Sequence, residues 1–297
     1  EVVIFPWQKG GGKPLTITLK LSESINQFID YQQNIKSLGK STVSLNIEAL
    51  NHLQNCISDI PIEVMTIQHT DQFVEYLKCI KKVNGELTTK YTVNNRIRNF
   101  NTFMNWLYER EMITKKLNAS QLAVAKPKPR YITEPVFNLV MNENISERYL
   151  RMFKLHWDTG MRLSESFVGE IRGEWYTIPA ERAKNHRERS IRVNAKQIET
   201  ILMIQSQWAE NPTVDSIKWY SKKFKKALKL VGIEDRHFHC LRHSFGVRRI
   251  LETNGNIHLV RDEMGHESVV VTEKYTRFDR KEIERDFPSL SRSSKVN

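Results

Sequence analysis

Five short stretches carry side chains able to handle a phosphate ester. They are TGMRLSE at residues 159–165, the lysine of ERAKNHRER at residue 184, HFHCLRHSFG at 237–246, the pair Gly265-His266, and TEKY at 272–275. Each is weak alone: an arginine at a helix start commonly pairs with an acid, and a tyrosine is commonly a packing residue. The chemistry that would join them is nucleophilic attack by Tyr275. A free tyrosine ionises near pH ~10 and is a poor nucleophile at neutral pH, but nearby cations favour its anion. A nucleophilic tyrosine therefore needs a cationic cluster, and this chain offers one. His237, His239 and His243 have no acidic or Cys partner at a zinc-ligand spacing, so no metal site is expected.

The order of these pieces is informative. Arg162 in a T-G-x-R-x-x-E setting, Lys184 in a β-hairpin, H-x-x-R at His239 to Arg242, Gly265-His266, and T-x-x-Y ending at Tyr275 resemble the motif series of tyrosine recombinases of the phage-integrase family. Tyr275 follows His266 by nine residues, the short final step of that family. The resemblance is dense over the second half and looser over residues 20–120, which look like the family's helical core-binding domain. It implies a mainly α fold with a small antiparallel β-sheet in the catalytic domain, arranged as a two-domain DNA clamp.

The resemblance also implies roles. Arg162 and Arg242 would clamp the scissile phosphate through bidentate hydrogen bonds, and His266 would donate one more. Lys184 would protonate the departing 5′ oxygen, His239 would assist proton transfer from the nucleophile, and Tyr275 would form a 3′-phosphotyrosine bond. Glu165 would orient these groups. No cofactor and no metal are called for, because the bond energy stays in the protein–DNA ester. Met264 stands where such proteins often have Leu, and Arg277 where a His is common; neither carries an assigned role.

Composition agrees with an anionic partner. Among 297 residues there are 46 Lys plus Arg against 34 Asp plus Glu, a net charge of +12. Double-stranded DNA leads among such partners. The length suits two domains, and 39% hydrophobic residues support real cores. No apolar run is long enough to span a membrane, and the N-terminus lacks a signal-peptide layout. Three widely spaced cysteines, Cys56, Cys79 and Cys240, fit a reducing, intracellular setting. A cytoplasmic, nucleoid-associated protein is expected.

The elements that must position the motifs can be sketched. Residues 1–20 read as a flexible lead-in, 21–122 as a helical DNA-binding domain, 123–135 as a basic Pro-rich linker, and 136–297 as the catalytic domain with a C-terminal tail. In the first domain, residues 22–36 place Ile25, Phe28, Ile29 and Ile35 on one face, and residues 42–57 place Val43, Ile47, Leu50 and Ile57 on another. Thr70 is expected to cap a third helix. Residues 92–110 form the best helix of the set. Its second face carries Asn94, Asn95, Arg98, Asn99, Asn101 and Asn105. Asparagine is a poor helix former, so that face is either simply solvated or hydrogen-bonds DNA. In the linker, Lys126, Lys128 and Arg130 alternate with prolines, as in an extended strap able to follow a phosphate backbone.

In the second domain, residues 146–158 read as a helix, a further helix begins near Arg162, residues 174–193 read as a hairpin, and residues 216–231 as an amphipathic helix ended by Gly232. VVVT at 269–272 favours a strand by propensity, whereas the resemblance places a helix there, and the helix is the expectation adopted. Ile283 and Phe287 are expected to anchor the tail on a neighbouring subunit.

The whole then reads as a site-specific DNA recombinase for integration or excision of a mobile element, working as a homotetramer on two DNA sites. A type IB topoisomerase uses similar chemistry, and a non-catalytic DNA-binding protein on the same scaffold is the third reading.

Overall fold

The computed structural model describes residues 19–125, 127–183 and 187–293. Lys126 and Lys184 lie outside the described residues, as does most of the expected lead-in. The chain divides into two compact units, Glu1–Lys126 and Pro127–Asn297. No described helix is long and apolar enough to cross a membrane.

The first unit is helical: α1 (Leu21–Asp30), α2 (Lys40–Cys56), α3 (Ile67–Cys79) and α4 (Lys90–Glu109). Leu21, Phe28, Leu50, Phe73, Phe100 and Phe103 are sealed in its core. Three details depart from expectation. Ile35 is exposed, because the chain leaves α1 through a π-helical turn over Tyr31–Ile35 that rotates it off the apolar face. Ile47 is exposed as well. Thr66, not Thr70, caps α3; Thr70 lies inside the helix, buried, and its hydroxyl donates to the Leu117 carbonyl at 3.0 Å.

The asparagines of α4 act on the chain itself. Asn94 donates to the Leu122 carbonyl at 2.9 Å and accepts from the Leu122 amide at 2.8 Å. Asn101 treats Ala119 the same way, at 2.9 and 2.8 Å. Asn99 donates to the Leu45 carbonyl, and Asn105 accepts from Asn118. A side-chain amide meets one backbone donor and one acceptor together, so two asparagines stitch an irregular segment onto a helix. Asn94 and Asn101 thus leave the set of candidate DNA contacts, Asn99 is half-committed, and Arg98 with its partner Asn95 stays at the surface.

The second unit runs α5 (Glu134–Met141), α6 (Glu147–Thr159), a 3-10 turn (Leu163–Phe167), β1 (Glu170–Arg172), β2 (Trp175–Ile178), β3 (Arg189–Arg192), α7 (Ala195–Glu210) and α8 (Val214–Leu230). It continues with α9 (His239–Glu252), α10 (Ile257–Met264), α11 (Val269–Thr272), a 3-10 turn (Glu273–Arg277), α12 (Arg280–Asp286) and α13 (Pro288–Ser293). The strands form an antiparallel sheet in the order β1-β2-β3. The expected hairpin is β2–β3; β1 extends it by three residues too short to leave a pattern. The helix expected near Arg162 is a 3-10 turn, and Pro135 sits in the first turn of α5 rather than ending a segment.

Tyr131 and Ile132 of the presumed strap are buried in the second core, where Ser244 Oγ donates to the Ile132 carbonyl at 2.8 Å. Lys128 pairs with Glu282 at 3.1 Å, and Arg130 donates to the Asp235 carbonyl at 3.3 Å. The strap from 127 onward is thus docked on its own unit. The tail behaves likewise: Ile283 and Phe287 are sealed in the same core, with Phe287 packed on Tyr131 and Trp157. They hold their own unit together, which corrects their assignment as anchors on a neighbour.

Candidate active site

Two helix C-termini build the site. α6 ends at Gly160 with φ 62°, and α10 ends at Gly265 with φ 59°, a left-handed region that glycine enters freely. Each turn leaves helix carbonyls without intrahelical partners at the negative end of a helix dipole, which favours cations. Arginines take those positions. Arg242 Nη1 donates to the Gly160 carbonyl at 2.7 Å, and its Nη2 donates to the Met264 carbonyl. Arg162 Nη2 donates to the Gly265 carbonyl at 3.1 Å. Arg189, from β3, also donates to the Met264 carbonyl. A Cβ on Gly265 would lie 2.5 Å from Arg189 Cδ, so the glycine also makes room for that side chain.

Glu165 is the counter-charge. Its carboxylate caps the 3-10 turn, accepting from the Arg162 amide at 2.8 Å and from Arg162 Nη1 at 2.6 Å. Arg189 Nη2 is 3.6 Å from the same group. Burial pushes the carboxyl pKa up, but Arg189, Arg242 and Arg162 together outweigh it and hold the group below the usual carboxylate range. The Tyr176 hydroxyl fixes the turn by donating to the Glu165 carbonyl and accepting from the Gly169 amide, both at 2.8 Å. Three guanidiniums around one carboxylate leave an excess of positive charge. For Arg242, burial and then the neighbouring Arg189 and Arg162 pull the pKa down to about 9. An anion placed there would relieve that repulsion.

Tyr275 is buried against this cluster. Its ring stacks on His266 at 6.2 Å and 12° and lies over Gly246 of α9, where a Cβ would come within 2.8 Å of it. His266 is braced by Thr272 Oγ1 at 2.8 Å. That bond explains the local fold: VVVT forms α11 because the turn delivers Thr272 to His266 and Tyr275 to the core, and these contacts override strand propensity. Burial raises the Tyr275 pKa while Arg242 and Arg162 oppose it, so the hydroxyl is protonated in this state. Burial and the surrounding cations hold His266 at about 3 and His239 at about 4, so both are neutral.

The structure brings Arg162, Glu165, Arg242, His266 and Tyr275 together. It places His239 beside them, edge-on to His243 at 4.7 Å. Three residues not assigned from sequence join the cluster. Arg189 is one of many charges in a hairpin, and its partners come from distant segments. Lys274 sits 4.9 Å over the Tyr275 ring. His243 bonds the Tyr275 hydroxyl directly, at 2.9 Å; only its position beside Arg242 hinted at that. Among the described residues, no group of three or more His, Cys, Asp or Glu could hold a metal ion.

Known proteins share this architecture. The chain superposes on a lambda integrase dimer bound to a COC′ core site with a TM-score of 0.68, 16% identity, and coverage of 88% of this chain and 96% of that one. It superposes on the Tn1549 transposon integrase in complex with circular intermediate DNA with a TM-score of 0.66, 14% identity, and coverage of 93% and 99%. Tyrosine recombinase XerC of Actinobacillus pleuropneumoniae serotype 7 (strain AP76) is 28% identical over 148 residues, which cover 44% of this chain. The match spans about half the length of that relative, 48%. The phage integrase family model matches residues 133–282, half of the chain, and takes in every residue of the arginine, histidine and tyrosine cluster: the chain belongs to the phage integrase family.

Proposed function

We propose that the protein is a site-specific DNA recombinase that breaks and rejoins DNA strands through a 3′-phosphotyrosine at Tyr275, in the integration or excision of a mobile element. One observation carries this reading: Arg162, Arg242, His266 and Tyr275, distant in sequence, meet in one buried, positively charged cluster. Arg162 and Arg242 would exchange backbone carbonyls for the non-bridging oxygens of a phosphodiester. Their donors would gain most in the more negative pentacovalent transition state. His266, neutral and held by Thr272, would donate from Nε2. Lys184 would protonate the departing 5′ oxygen. Glu165 would keep the guanidiniums in register.

Residues 21–122 would serve as the core-binding domain and 136–297 as the catalytic domain, closing on duplex DNA. Exposed Arg98, Lys128 and Arg130 would be among the phosphate contacts. The lambda integrase tetramer bound to a Holliday junction, with a TM-score of 0.68 and 14% identity, supports four subunits acting on two DNA sites.

The test is covalent trapping. Wild type and Tyr275→Phe are incubated with nicked fragments of the source genome, denatured in detergent, and the protein-linked DNA is sequenced. Adducts from wild type alone at a few sites support the reading. Adducts without sequence preference would move it to a type IB topoisomerase, and DNA binding without adducts from either protein would remove the enzymatic reading.

A further inference from the structure

We infer that His243 is the catalytic proton acceptor for Tyr275, taking the hydroxyl proton as the tyrosine oxygen attacks phosphorus. This rests on the proposed phosphotyrosine chemistry and departs from the role expected of His239. His243 Nδ1 lies 2.9 Å from the Tyr275 hydroxyl, and among the described residues no other side chain hydrogen-bonds that oxygen. For the hydroxyl to donate, Nδ1 must be bare and Nε2 must carry the ring proton. His239 meets the edge of the His243 ring instead, one helical turn away on α9.

The surroundings make this base conditional on substrate. The charged and titratable groups that face His243 are Lys274 and Tyr275 from the 3-10 turn after α11, His239 and Arg242 from α9, and His237 just before it. Burial first, then Lys274, His239, Arg242 and His237, drive its pKa down to about 2. In the empty site the proton therefore stays on Tyr275. A phosphodiester bound between Arg162 and Arg242 offsets the charge of Arg242, one of the groups that hold His243 neutral, and so raises the basicity of His243 when the tyrosine needs an acceptor. In the step, the Tyr275 O–H bond breaks and its proton passes to Nδ1. The Oη–P bond forms while the P–O5′ bond breaks, and the 5′ oxygen takes a proton from Lys184. Rejoining reverses each transfer, with protonated His243 returning its proton to the departing tyrosine.

The experiment measures single-turnover adduct formation on a trapped recombination site, using the full chain. His243→Ala, His243→Asn, His239→Ala, Lys184→Ala and wild type are compared. Each is tested with the natural 5′ oxygen and with a 5′-bridging sulfur, whose thiolate leaves without an acid. The two His243 variants are expected to lose ~100-fold or more, in the range of general-base catalysis. The sulfur substrate should leave that loss in place while relieving the Lys184→Ala defect. His243→Asn keeps an acceptor near Nδ1 yet takes no proton, so it should fold and bind DNA normally and still be slow; it decides the matter if His243→Ala does not fold. Added imidazole should accelerate His243→Ala in proportion to its free-base fraction, which a merely structural histidine would not show. Either His243 variant within tenfold of wild type, a loss relieved by the sulfur leaving group, or a larger loss in His239→Ala would overturn the assignment. Absence of adducts from wild type would instead remove the phosphotyrosine reading beneath it.

Discussion

Glu165 carries the carboxylate that pairs with Arg162 and Arg189 and that also feels the charge of Arg242, which makes it the residue on which their convergence depends. Glu165→Gln keeps the shape and removes the charge. Breaking a buried ion pair from one side costs about 3–5 kcal/mol, because the other charges stay buried. The variant should melt well below wild type at neutral pH and form adducts poorly. The acidity of the carboxyl sets the pH dependence. Its folded pKa lies below 4.5, so its contribution is fully present above 4.5 and disappears as pH falls through the lower folded value. Melting curves of the two proteins should converge on acidification below 4.5; a gap that persists unchanged at low pH would show the charge is not the cause. Gly246 gives a steric counterpart. A Cβ there would meet the Tyr275 ring at 2.8 Å and Met264 Sδ at 3.0 Å. Gly246→Ala should slow adduct formation at least tenfold while DNA binding, read by gel shift, changes little, since only the nucleophile's seat is disturbed.

The ends of α6 and α10 turn sequence into site, and they show what could be read in advance. Gly160 and Gly265 were visible as glycines inside the motifs, and the order of Arg162, His239, Arg242, His266 and Tyr275 carried the chemistry. The three-way sharing of α10's terminal carbonyls was not visible, because it joins residues from α6's exit, β3 and α9 that have no fixed spacing. The same limit explains Thr70 and Ile283: local pattern offered a cap and an anchor, and long-range packing used both residues inside their own units. The α4 asparagines are the sharpest case. A poor helix former repeated along a helix did signal a purpose, but the purpose was to hold residues 119–122. Asn101→Ala should therefore destabilise the first unit by about 1–3 kcal/mol, since it strands two backbone groups, and should leave the salt dependence of DNA binding unchanged. Arg98→Ala, at an exposed site, should do the reverse and lower the salt slope by about 1. Chemical denaturation and salt titrations of both variants would separate the roles; a reduced salt slope in Asn101→Ala would return that asparagine to the DNA-contacting face.

The two compact units divide the labour unevenly. Every described member of the candidate site, from Arg162 to Tyr275, lies in the unit from Pro127 onward, which has its own continuous core. The docked strap belongs to that core through Tyr131 and Ile132, so a cut before Pro127 spares it. The first unit brings a separate core and no member of the cluster. Affinity for DNA is dominated by phosphate contacts, each adding about 0.9 to the slope of log affinity against log salt on duplex DNA. Removing the first unit should then remove contacts without touching the chemistry. A fragment of residues 127–297 should form the Tyr275 adduct at saturating DNA within about tenfold of the full chain, because the effective geometry at phosphorus is unchanged. Its half-saturating DNA concentration should rise steeply, and its salt slope should fall by the number of phosphates given up. A folded fragment, verified by a cooperative melt, whose saturating rate dropped by several orders of magnitude would mean that the first unit helps assemble the site. The arginine cluster would then be only the phosphate-binding half of a centre completed when both units hold DNA.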